Sequence, residues 1–138
     1  MASATGLAWG GLLTRRIPPP PGGSQSAPHV VAYPGPMAIA AVSLSPLGVG
    51  ISVSKYVAVA IEVLEAQDDV RWELDSMFTT LEGEPDVLFE VIRKMQEAIF
   101  AAGAERVGTV IKMDDRRDQD GVTMEGKVAS VRAKLGSS

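Results

Sequence analysis

Cysteine is absent from this 138-residue chain, and histidine occurs once, as His29. Without a thiol there is no disulfide framework, no cysteine nucleophile and no cysteine-ligated zinc. One imidazole, outside the regular part of the chain, cannot build a histidine-ligated zinc site or a Ser-His-Asp triad there. Any metal would need oxygen ligands alone, and no metal site is assigned. Acid is missing from the first 61 residues, Glu62 being the first carboxylate. Nor is there a run approaching the ~20 apolar residues that span a bilayer, which predicts a soluble, cytoplasmic protein with no membrane partner. Clustered base is lacking too. With 13 Lys+Arg against 17 Asp+Glu, a net charge of −4 and a pI near 5.0, the interspersed charges exclude a nucleic-acid partner, which needs a basic surface.

What is present divides at Met37. Before it lie seven of the nine prolines, including the run Pro18 to Pro21, followed by Gly22, Gly23 and Ser24. Such composition favours extended, solvated chain, so residues 1–36 are expected to be a disordered Pro/Gly-rich leader. The positive charges Arg15 and Arg16 follow an apolar stretch instead of preceding it, which excludes a secretory signal. A transit peptide to an organelle, an appended leader and a misassigned start all fit. From Met37 on, 102 residues hold 11 Lys+Arg and all 17 Asp+Glu, with neither Cys nor His. This is one small domain, residues 37–138, burying roughly 60–65% of its unfolded surface and gaining from self-association.

Residues 38 to 45 alternate as a strand, with Ala40, Val42 and Leu44 on one face and Ile39, Ala41, Ser43 and Ser45 on the other. Pro46 ends it. Ser52 or Ser54 is expected to cap a helix in which Val53, Val57, Ala60, Ile61 and Leu64 form the apolar stripe. Residues 70 to 78 alternate as a half-exposed strand, and residues 79 to 84 as a second short one. Pro85 opens a second helix with Leu88, Val91, Ile92, Met95, Ile99 and Ala102 inward, and Gly103 caps its end. Residues 107 to 113 read as the fourth strand. Thr123 then caps a last helix with Met124, Val128, Val131 and Leu135 on one stripe.

The order β-α-β-β-α-β-α predicts an α+β fold: a ferredoxin-like βαββαβ sandwich with a four-stranded antiparallel sheet and an extra C-terminal helix. The second sheet face, small and apolar, is expected to be covered by another subunit.

Several of these segments carry a family resemblance. Residues 37–48 (MAIAAVSLSPLG), 52–58 (SVSKYVA), 79–84 (TTLEGE), 110–118 (VIKMDDRRD) and 123–128 (TMEGKV) resemble the small single-domain thiamine-binding proteins of the YkoF-like superfamily. The resemblance runs from Met37 to about Leu135 and leaves the leader out. It implies a ferredoxin-like fold, assembly into dimers and tetramers through sheets and the last helix, and non-catalytic binding of thiamine or its hydroxymethylpyrimidine precursor. No cofactor and no catalytic residue are implied.

Thiamine joins an aminopyrimidine to a cationic thiazolium, so a receptor needs an apolar slot, hydroxyls or carboxylates for the pyrimidine edge, and negative charge or π surface near the cation. Ser43, Ser45, Thr79, Thr80 and Glu82 offer the polar groups, Tyr56, Met77 and Phe78 the slot, and Lys55 a countercharge for an anionic group. Each has a plainer role. The serines suit a tight sheet interface, the threonines a strand, Lys55 the surface, and Tyr56 and Met77 the core. The resemblance makes Glu82 the strongest single ligand candidate. The adjacent Asp114, Asp115, Arg116 and Arg117 read as a charged strand exit that pairs across a subunit boundary. An enzyme is disfavoured because no carboxylate pair stands at helix spacing and no nucleophile has a base beside it. A ferredoxin-like regulatory or assembly module binding another small molecule or a protein is the alternative.

Overall fold

The computed structural model describes residues 36–136. The leader expected at residues 1–36 lies, except for Pro36, outside the described residues. Seven elements follow in order: β1 (Ala38–Pro46), α1 (Ser54–Glu65), β2 (Arg71–Leu74), β3 (Thr79–Gly83), α2 (Pro85–Ala101), β4 (Val107–Asp115) and α3 (Met124–Leu135). The strands pair antiparallel throughout in the order β2-β3-β1-β4. Each of the two crossovers, through α1 and α2, skips one strand position. That is the ferredoxin-like connectivity expected from the element order, with α3 added at the end.

Strand alternation decides what meets the helices. Ala38, Ala40 and Val42 of β1 and Thr79 and Leu81 of β3 are buried, while Ile39, Ala41 and Ser43 on the opposite face are only half-buried. Against the buried row α1 places Tyr56, Ala60, Ile61 and Leu64, and α2 places Leu88, Val91, Ile92, Met95 and Ile99. The second list is the 3.6-residue stripe read from the sequence without Ala102, which is exposed because the helix ends there and the chain turns away.

Local chemistry sets the boundaries. Gln67 ends α1 and starts β2, its side chain donating to the carbonyls of Leu64 and Val70 and accepting the Val70 amide at 2.8 Å. Pro85 occupies the first turn of α2. The far end closes on Gly103, whose φ of +103° turns the chain so that its amide reaches Phe100 and that of Ala104 reaches Ile99. These two bonds satisfy carbonyls the helix would leave open. Gly83 fits a tight approach: a Cβ there would stand 3.3 Å from the Leu88 Cδ2, which would have to give by a few tenths of an ångström, and 3.4 Å from the Asp69 carbonyl oxygen.

Several boundaries differ from the sequence reading. Pro46 is the last paired residue of β1, opposite Val107, because a proline at a strand end sacrifices no ladder donor where the next amide, of Leu47, bonds Arg106 instead. Neither Ser52 nor Ser54 caps α1; the N-cap is Val53, without a side-chain bond, and the two hydroxyls bond each other at 3.2 Å. β2 stops at Leu74, since Asp75 folds onto the Ser76 amide and residues 75–78 make the hairpin turn. β4 runs on to Asp115, held by β1 along its whole length, with Ile39 opposite Asp114 and Ala38 opposite Asp115.

Candidate functional site

Strand pairing puts residues directly opposite each other on the same face of the sheet. The open face therefore carries Ser43 and Ser45 of β1, Thr80 and Glu82 of β3, Glu73 and Arg71 of β2, and Val110, Lys112 and Asp114 of β4. Thr79 falls on the other side, toward the helices. The polar candidates are thus divided between two faces.

At one end of the open face sits the N-terminus of α3. Glu82, 3% exposed, uses both carboxylate oxygens: Oε1 accepts from the Arg71 Nη1 at 2.6 Å and Oε2 from the Met124 amide at 2.8 Å. Arg71 continues to Glu125 Oε1 at 2.5 Å. Burial alone would lower the Arg71 guanidinium, but the hydrogen bonds and charges of Glu82 and Glu125 outweigh it and raise it above its ordinary value. Lys127 pairs with Asp114 beside this cluster. Glu82 is therefore engaged in seating α3, and a ligand would have to displace one of its two donors.

The charged exit of β4 also pairs within the chain, Arg117 with Asp115 and Arg116 with Asp118. The hydrogen bond from Arg117 holds the Asp115 carboxyl below its ordinary range, and that from Arg116 does the same for Asp118. Among the described residues no three carboxylates converge to hold a metal ion.

Beneath the β2–β3 hairpin, on the helix side, lies a cleft of about 90 Å³. Its inner wall is Val57, Ala60 and Ile61 of α1 and Met95 of α2, its sheet side Val42 to Leu44 and Thr79, and its rim the turn from Leu74 to Phe78. It exists because β3 starts opposite Val42, leaving the next stretch of β1 without a partner strand on that side. Thr79 is 7% exposed, yet its hydroxyl makes no hydrogen bond among the described residues. Since no buried side-chain oxygen or nitrogen is left wholly enclosed and unpaired, that hydroxyl opens into the cleft. Met77, 76% exposed, and Phe78 overhang the mouth, and Asp75 stands on the rim.

The cleft thus gathers four of the residues singled out in the sequence, Ser43, Met77, Phe78 and Thr79, with Ser43 at the strand edge and its alternation position on the open face. Ser45 and Thr80 lie on the open face. Tyr56 is buried in the core, and Lys55 holds its ammonium 4.6 Å from the centre of that ring. Asp75 and Ser76 were missed because period-2 alternation continues through them. The available signal was their chemistry: Asp followed by Ser between two apolar stretches favours a turn.

Comparison with known proteins adds the following. The sequence model described as "Thiamine-binding protein" matches residues 40–132. The chain is 44% identical over 103 residues to the UPF0045 protein YqgV of Bacillus subtilis, covering 72% of this chain and 98% of that one. The crystal structure of the hypothetical protein MJ1052 of Methanocaldococcus jannaschii superposes with a TM-score of 0.65 at 35% identity, covering 71% of this chain and 98% of the other. A Thermotoga maritima protein with a suggested role in thiamine biosynthesis or salvage has a TM-score of 0.60 over 70% of this chain and 100% of its own, and at 21% identity it shows the shared fold alone.

Proposed function

This chain belongs to the thiamine-binding protein family, and from that premise we propose that it is a non-catalytic receptor for thiamine or its hydroxymethylpyrimidine moiety, held in the cleft under the β2–β3 hairpin. The observation that carries the choice of site is the Thr79 hydroxyl, which has no hydrogen-bond partner among the described residues and opens to a largely apolar slot. A hydroxyl both donates and accepts, and an aminopyrimidine edge supplies a donor and acceptors that complement it. Leu74, Phe78 and Met95 provide the apolar and aromatic surface for the ring, and Met77 an adaptable cover. The cleft is smaller than the cavity of about 150 Å³ that holds a benzene ring. One ring therefore lodges only part-way in the open cleft, and the second stays at the mouth between the hairpin and whatever covers it.

A binding role suits the chemistry of the lining. Asp75 is the one titratable carboxylate there, with neither an acid–base partner nor an activated nucleophile beside it. The receptor is proposed to act as a homo-oligomer, the open sheet face and the outer side of α3 being covered by other copies. Supporting this, Val110 on the open face and Val128, Val131 and Leu135 on α3 are all at least half exposed.

Titration calorimetry tests the reading. Wild-type protein is expected to bind thiamine and the free hydroxymethylpyrimidine, and Thr79→Val to weaken both by roughly five- to tenfold, the value of one neutral hydrogen bond, without lowering the melting temperature. No heat from either ligand at protein concentrations well above micromolar would sink it.

A further inference from the structure

Asp75 is the one charged side chain that lines the cleft. Its Oδ1 accepts the Ser76 amide at 2.6 Å, and among the described residues Oδ2 has no partner. No lysine or arginine lines the space. The nearest cation along α1, Lys55, lies over the Tyr56 ring, and the next acid along β2, Glu73, adds negative charge at an exposed position.

We infer that Asp75 sets the charge selectivity of the cleft, admitting neutral and cationic aminopyrimidine ligands and disfavouring their phosphate esters. The inference rests on the thiamine-class reading of this cleft. With the pyrimidine inside, toward Thr79, a cationic second ring lies at the rim beside the carboxylate. A phosphate attached to that ring would meet the same carboxylate with no countercharge nearby. At physiological salt the field of an exposed charge reaches only about 8 Å, so the effect is confined to groups held at the rim.

The test compares thiamine, thiamine monophosphate and free hydroxymethylpyrimidine on the full chain and on Asp75→Asn, which keeps an oxygen acceptor for the Ser76 amide and so preserves the turn. Wild type should bind thiamine at least about tenfold more tightly than the monophosphate, since one full charge at a partly solvated rim is worth roughly that factor. Asp75→Asn should weaken thiamine about three- to tenfold, leave the uncharged pyrimidine within about twofold, and narrow the gap to the monophosphate. Equal wild-type affinities for thiamine and its monophosphate would overturn the inference while leaving the cleft assignment standing. An equal loss of thiamine and pyrimidine in Asp75→Asn, with a lowered melting temperature, would reduce Asp75 to a turn residue and overturn it too. Failure of all three ligands on wild type would reject the cleft reading itself, and this inference with it.

Discussion

Glu82 and Thr79 stand three residues apart on one strand and meet opposite fates. Both are more than nine-tenths buried. Glu82 is fully partnered by Arg71 and the Met124 amide, whereas Thr79 has a hydroxyl and only a cleft to face. Full partnering makes a buried carboxylate a structural group, because withdrawing it strands the donors aimed at it. Glu82→Ala is expected to lower stability by about 2–4 kcal/mol, moderated by the part-exposure of Arg71, and to speed hydrogen exchange at the Met124 amide. Chemical denaturation and exchange measurements check the two effects. Glu82→Gln, which keeps an acceptor but not the charge, should lie between.

Among the elements, α3 is anchored at its start by polar contacts. Thr123 caps it through Oγ1 to the Gly126 amide at 3.0 Å, Glu125 sits in its first turn, and Arg132 and Lys134 sit in its last, in line with the helix dipole. Its buried residue is Met124. Burial raises the Glu125 carboxyl, but its own backbone amide, the Arg71 guanidinium and Thr123 outweigh that and hold it below its ordinary value. A carboxyl lowered in the folded state contributes stability that is present above the ordinary glutamate range and is lost as pH falls through the lowered folded value. The docking of α3 is therefore expected to weaken, before the sheet does, as pH falls below the ordinary glutamate range. Backbone resonances of residues 123–127, followed in a pH titration, should shift ahead of those of β1; simultaneous loss of both would contradict this.

For the whole molecule, the two faces of the sheet are unequal. One is sealed by α1 and α2 around Leu64, Leu81, Leu88, Met95 and Ile99, all fully buried. The other carries Ile39, Ala41 and Ser43 half-buried and Val110 exposed, with the start of α3 over one end. Apolar area of that kind, joined to the exposed stripe of α3, suits a second copy of the chain. The double variant Val128→Asp, Val131→Asp is expected to reduce the particle mass measured by light scattering while thiamine-class binding survives in the separated subunits. An unchanged mass would place the contacts elsewhere.

The element order, the helix stripes and the inward row of β1 were legible because burial on one face writes a period into the residues: 3.6 for a helix, 2 for a strand. Pro85 and Gly103 were legible because their backbone limits act locally. The hairpin turn at residues 75–78 was not, since alternation and turn chemistry compete over the same four residues and only pairing between β2 and β3 decides the winner. The division of Thr79 from Glu82 between cleft and latch depends on contacts far along the chain, with Val57 and Met95 on one side and Met124 on the other. The sequence by itself therefore determined the family, the sandwich and the types of side chain available for a site. The tertiary structure decided which of those side chains share a space, because a site is set by long-range packing that no local pattern records.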